Sequence, residues 1–203
     1  KITSGRDRVG MIESINLLNI PEIETWELEL SGAQDYTMSQ AEFENAVYCP
    51  DISHSAVYTE MEGTAVNTWE GLPLWLLVGW VDDNIQHGPD SFNDGLAALG
   101  YDVRVIASDG FSYTFPISDV ARNDDIIVAG LFNGQSLPDG YYPLRLLGNG
   151  LTSGKQKVRE IVRIELLNLP WTLELSGAGA YTMTRAEFEG AFLSYSAVYT
   201  EME

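Results

Sequence analysis

Apolar and polar side chains alternate without a break through Trp26-Glu-Leu-Glu-Leu30, the mark of a strand with one buried face. A Ser-Gly-Ala turn at residues 31–33 follows. Ser39 with Glu42 three positions on forms a capping box, and Ala41, Phe43, Ala46 and Val47 give the helix it opens an apolar face. Residues 55–62 (SAVYTEME) alternate again, with Ala56, Tyr58 and Glu60 on one side and Val57, Thr59 and Met61 on the other. The most apolar run is residues 69–80 (WEGLPLWLLVGW). There Pro73 suits the first turn of a short helix that aligns Leu74, Leu77, Val78 and Val81. Residues 82–94 form a polar loop, and residues 91–99 (SFNDGLAAL) predict a second short helix stopped by Gly100. Residues 101–107 and 111–115 flank Ser-Asp-Gly, a hairpin signal. A helical turn over 117–122, a buried strand over 126–131, a turn at Asn133-Gly134 and a short strand over 143–147 follow. Residues 148–154 are a Gly-rich loop, and residues 158–167 alternate as a closing strand. Short strands with scattered short helices predict an α+β fold in which β dominates.

Much of this pattern occurs twice. Residues 26–46 and 171–191 agree at 15 of 21 positions, and SAVYTEME recurs at 55–62 and 196–203. Residues 3–21 and 152–170 agree at ten of 19 positions. A repeat of this length is domain-sized. Residues 1–20 are expected to be the closing strand of a preceding repeat, 22–167 a complete unit, and 168–203 the opening of the next. Incomplete units leave strand edges and apolar faces to be covered by copies of the chain or by adjacent repeats, head-to-tail.

Charge narrows the range of partners. The net charge is −19, and between Val9 and Val103 there are 17 Asp and Glu and no Lys or Arg. Five of the 11 basic residues, Arg145, Lys155, Lys157, Arg159 and Arg163, fall in one short span. Phosphate contacts need basic surface, so nucleic acid and anionic membrane surfaces are disfavoured as partners. The apolar run at 72–81 is too short to cross a bilayer, so this segment inserts in no membrane by itself. Such acidity suits a solubilised extracellular or cell-surface location, a high-salt setting or cation binding.

The segment Trp69-Glu-Gly-Leu-Pro-Leu, then Gly140-x-x-Pro143-Leu-Arg-Leu, and then Gly154-Lys-x-Lys157-Val with Ile161-x-Arg163-Ile-Glu-Leu resemble the oxidoreductase molybdopterin-binding domain, of the sulfite-oxidase-like fold. The resemblance covers roughly residues 26–167. It implies a β-rich mixed domain with short helices, and a cysteine thiolate on molybdenum at the end of the third element. The matching stretch, residues 58–63 (YTEMEG), holds no cysteine. Cys49, the single cysteine, lies upstream, in a loop the second copy lacks. A neutral thioether (Met61) or a hard carboxylate (Glu60, Glu62) is a poor substitute for that sulfur. The resemblance further implies that Arg145, Lys155 and Lys157 sit where the family holds the anionic pterin phosphate.

Asp82, Asp83, Asp90 and Asp94, with Asn84 and Asn93, are candidate oxygen ligands for calcium, although the spacing fits no EF-hand; a solvated acidic loop is the plainer alternative. His54 and His87 are isolated, which disfavours zinc. Trp26 and Trp171 are one repeated position and are assigned to the core, as are Trp69, Trp75 and Trp80. The expected function is a non-catalytic structural or adhesive repeat of an extracellular, archaeal-type surface protein with no cofactor. The alternatives are a molybdopterin-dependent oxidoreductase of the sulfite oxidase type, and a module binding a small anion or calcium.

Overall fold

Leu28 and Leu30 point one way along the first strand, and both are buried, as the alternation requires. The computed structural model describes residues 25–49, 55–86, 88, 91–179 and 181–194. The strand, β1 (Glu27–Ser31), folds back as β2 (Asp35–Ser39) and runs into helix α1 (Gln40–Val47). The capping box at that junction is formed in both directions: the Ser39 side chain accepts from the Glu42 backbone N–H, and the Glu42 carboxylate accepts from the Ser39 N–H at 2.8 Å. There follow β3 (Ala56–Glu62), β4 (Ala65–Pro73), α2 (Leu74–Gly79), α3 (Asp94–Leu99), β5 (Asp102–Ala107), β6 (Ser112–Pro116) and α4 (Ile117–Val120). The chain continues through β7 (Ile127–Phe132), β8 (Gln135–Ser136), β9 (Arg145–Leu147), a 3-10 turn (Gly154–Gln156) and β10 (Ile161–Leu167). It ends in β11 (Thr172–Leu175), β12 (Tyr181–Thr184) and α5 (Arg185–Ser194).

The fold is α+β and β-rich, as expected. One five-stranded sheet has the order β2-β1-β10-β5-β6, with β1 parallel to β10 and its other neighbours antiparallel. The other has the order β3-β4-β7-β8, with β9 also on β7, and is antiparallel throughout. The main core joins the two: Leu28, Val105 and Ile164 from the first sheet, Leu72, Val128 and Leu146 from the second, and Phe43 from α1. Helix α2 is buried along its whole length. The β5-β6 hairpin and the stop of α3 at Gly100 match expectation. Asn93 caps α3 by accepting from the Leu96 N–H, and Gly100 ends it at a φ of 86°.

Two strands departed from the pattern. In β2, only Met38 is fully buried, and the polar residues around it read as a turn leading to the cap. In β4, residues 71–73 are all buried, so no alternation marks them as strand. The duplicated opening, β11-β12-α5, reproduces β1-β2-α1 in order but forms its own two-stranded sheet. Of the expected units, residues 1–20 lie outside the described residues.

Candidate anion-binding site

Strand pairing gathers the basic residues. Ala129 of β7 opposes Arg145 of β9, and on its other side Arg145 is bridged to Arg159. Two guanidinium side chains thus leave adjacent backbone positions although 14 residues separate them in sequence. The loop between is pinned by Gln156. This side chain is buried, and its Oε1 accepts from the Thr152 N–H at 2.6 Å and the Ser153 N–H at 2.8 Å. With Gln156 inward, Lys155 is left exposed and Lys157 half-buried.

Aromatic rings complete the site. The Arg145 guanidinium lies 4.5 Å from the centroid of Trp69 and 4.3 Å from that of Tyr141, while Trp69 and Tyr141 meet edge-on at 5.7 Å. Arg159 lies 5.8 Å from the Tyr141 ring. Cation–π stacking of this kind holds a guanidinium in place without neutralising it. The Arg145 Nε is buried and has no hydrogen-bond partner among the described residues.

Two cavities share Tyr141 and Arg145 in their walls. One, of about 470 Å³, is lined by Tyr141, Arg145, Gly154, Lys157 and Arg159, with Phe111 and the carboxylates of Asp109 and Glu160. Those carboxylates have local partners: Asp109 accepts from the Phe111 N–H at 2.8 Å, and Glu160 from the Ser108 hydroxyl at 2.9 Å. The other, of about 500 Å³, is lined by Glu60, Met61, Glu62, Trp69 and again Tyr141 and Arg145.

Three other arginines are neutralised. Arg104 pairs with Glu165, Arg163 with Glu29 and Glu165, and Arg122 with Asp94 at 2.7 Å. Arg145, Lys155, Lys157 and Arg159 make no ion pair among the described residues. On a chain of net charge −19, four cations without a carboxylate partner cluster along one strand and its neighbouring loop.

Of the expected anion-binding residues, Arg145 and Lys157 meet in one cavity, while Lys155 lines neither. Arg159, Tyr141 and Trp69 were not singled out for it. Trp69 was assigned to the core and is buried there, but its ring also carries the guanidinium. The every-second-residue spacing of Lys155, Lys157 and Arg159 was the available signal for Arg159.

The stretch that would hold a molybdenum thiolate, residues 58–63, borders the second cavity through Glu60, Met61 and Glu62. Cys49 follows the C-terminus of α1, its N–H bonded to the Ala46 carbonyl. The second cavity therefore offers carboxylates and a thioether where a soft anionic sulfur is needed, and this donor set does not fit a molybdenum centre. An oxyanion fits the cationic cavity better.

The acidic loop is braced from within. Asp82 is buried, and its Oδ2 accepts from the Asn93 N–H at 2.9 Å. Asp83 accepts from the Ile85 N–H at 2.6 Å and from the Asn93 side chain at 2.9 Å. Asp94 is bonded to Arg122, and Asp90 lies outside the described residues. Among the described residues, no group of three or more His, Cys, Asp or Glu side chains is placed to hold a metal ion. Burial, more than the neighbouring Asp83 charge, pushes the Asp82 carboxyl up to about 6.

The architecture defines a class, a two-sheet α+β domain with a cationic edge cleft. No family model matches the chain, and no curated protein matches it. Among solved structures it is similar to the sulfane dehydrogenase SoxCD from Paracoccus pantotrophus, at 17% identity and a TM-score of 0.47, over 70% of this chain and 38% of that one. The likeness is distant and is one of fold.

Proposed function

We propose that this domain is a non-catalytic module that binds a small oxyanion, of the phosphate or sulfate class, in the cavity formed by Arg145, Lys157 and Arg159. The observation that carries the reading is Arg145, packed against the rings of Trp69 and Tyr141 and without an ion pair among the described residues. A guanidinium held in place but not neutralised leaves its charge to an oxyanion in a cavity it lines. Lys157 and Arg159 add charge at the cavity wall, and the acids there are already engaged by Phe111 and Ser108.

Titration with inorganic phosphate and with sulfate, followed by calorimetry at low and at physiological salt, tests this. Binding should weaken with salt. Arg145→Ala and Arg159→Ala should each lower affinity by roughly tenfold or more, the equivalent of one charge-assisted hydrogen bond. Absence of binding at low salt would sink the reading. Stoichiometric molybdenum or tungsten in natively purified protein would restore the oxidoreductase alternative.

A second reading, a structural repeat of an extracellular or surface protein, is favoured by a different observation: a complete hairpin–helix module is present twice in one acidic chain. It predicts self-association that grows with concentration, measurable by light scattering.

A further inference from the structure

The cavity that gathers the cationic side chains is lined by both signs of charge. Arg145, Lys157 and Arg159 stand in its wall with Asp109 and Glu160, yet no ion pair joins the two groups among the described residues. Each group is held in place by neutral partners instead. Arg145 packs on the rings of Trp69 and Tyr141. Asp109 accepts from the Phe111 N–H through Oδ1, and Glu160 from the Ser108 hydroxyl through Oε2. None of these partners carries charge, so the side chains are positioned and their charges are kept. Each carboxylate also has a second oxygen, and neither of these is hydrogen-bonded among the described residues.

The acidic part of the wall is built into the fold. Glu160 has a left-handed backbone, at a φ of 53°, where a residue with a side chain is strained. Its carbonyl accepts from the Ser108 N–H at 2.9 Å, and its carboxylate from the hydroxyl of the same serine. The turn between β5 and β6 is thereby tied to the segment that carries Arg159. Phe111 closes that turn, lines the cavity and is 46% exposed.

A simple oxyanion uses only part of this arrangement. At about 470 Å³ the cavity falls in the range of roughly 300–1,000 Å³ that small organic ligands occupy, and a lone phosphate or sulfate ion fills little of it. The two carboxylates repel an anion that spreads across the cavity, and they attract a cation. A phenylalanine ring beside them suits an ammonium group, which gains from the ring face as well as from the carboxylates.

We infer that the ligand of this cavity is a zwitterion, a phosphate or sulfate ester that also carries an ammonium group. Its oxyanion meets Arg145, Lys157 and Arg159, and its ammonium meets Asp109 and Glu160 beside Phe111. The inference rests on the oxyanion reading and adds to it the charge of the ligand's second group.

Calorimetry at low salt with two phosphate monoesters tests it. Phosphocholine carries a phosphate and an ammonium, whereas glycerol 3-phosphate carries the same phosphate with hydroxyls in place of the ammonium. The parent should bind phosphocholine about tenfold more tightly. The double variant Asp109→Asn, Glu160→Gln keeps an acceptor for the Phe111 N–H and for the Ser108 hydroxyl. In it the preference should vanish, while inorganic phosphate binds at least as tightly as in the parent, because the repulsion has gone. A merely structural role for the two acids would weaken all three ligands together, and that result overturns the inference. Phe111→Ala removes an exposed ring and neither charge, and it should cut the preference several-fold even if the double variant fails to fold. Equal affinity for the two esters in the parent overturns the inference and leaves the oxyanion reading standing. If neither ester nor inorganic phosphate binds, both fall.

Discussion

In both hairpin–helix modules a tryptophan packs edge-on against a helix phenylalanine. The Trp26 and Phe43 centroids are 5.4 Å apart, those of Trp171 and Phe188 5.2 Å. A tyrosine hydroxyl donates to the helix's first-turn glutamate in each, Tyr36 to Glu42 at 2.6 Å and Tyr181 to Glu187 at 2.8 Å. The local structure is therefore the same, and the surroundings are not. The first module is seated: its turn donates from the Ala33 N–H to the Val81 carbonyl and from the Gln34 side chain to the Asp83 carbonyl, and its leucines enter the main core. Among the described residues, the second contributes none from β11 onward to either core cluster. The short-range pattern specifies the module, and only a partner surface decides whether its apolar face is buried.

The largest expected difference between the copies is in leucine truncation. Leu30→Ala should cost about 2–5 kcal/mol in urea melts, because it removes a fully buried side chain and leaves a cavity. Leu175→Ala in dilute protein should stay within about 0.5 kcal/mol, as for other exposed positions. Equal losses would mean that the second module is seated in solution after all.

The seat has its own pH signature. Asp82 lies between the two residues that receive the first module's turn, and its pKa is raised from 3.8 to about 6. Between those values the folded chain holds a proton that the unfolded chain releases, so this group's contribution makes stability fall as pH rises from about 4 to about 6. Above that range the buried charge costs about 3 kcal/mol, the equivalent of a two-unit shift. Asp82→Asn keeps an acceptor for the Asn93 N–H. The variant should match the parent near pH 4 and exceed it by up to about 3 kcal/mol at pH 7, read from melts across pH. A constant difference at all pH values would assign the effect to packing.

The same contrast explains what could be read from the chain. Alternation at Leu28 and Leu30, the Ser39–Glu42 box, the Asp109-Gly110 hairpin and the Gly100 helix stop are short-range signals, and each survived folding. β4 did not announce itself, since burial on both faces erases alternation. At the cleft, Arg145 and Lys157 were reached through motif resemblance. Trp69, Tyr141 and Arg159 meet Arg145 through β7–β9 pairing and an isolated bridge, which no local window contains. The exposure of Leu175 was equally invisible, because its sequence neighbourhood is that of Leu30.

A third comparison concerns backbone approach. A methyl group added at Gly32 would lie 2.5 Å from the Val81 carbonyl oxygen, whereas one added at Gly177, the same position in the second copy, meets nothing within 4 Å. Gly32→Ala should therefore destabilise by about 1–3 kcal/mol, since the obstacle is backbone and cannot rotate away. Gly177→Ala should be close to neutral. Paired thermal melts would read both, and a neutral Gly32→Ala would show that the turn is not docked on Val81.

The smallest expected effect is one in which the two copies should agree. Tyr36→Phe and Tyr181→Phe each remove one hydroxyl from a carboxylate that is exposed to water. A hydrogen bond of this kind contributes about 0.5–1.5 kcal/mol, and solvent can replace much of it. Hydrogen exchange in the first turns of α1 and α5 should therefore quicken by a similar, small factor in the two variants. If Tyr181→Phe were silent while Tyr36→Phe was not, the local bond would depend on the seat, and the modules would differ below the level of packing.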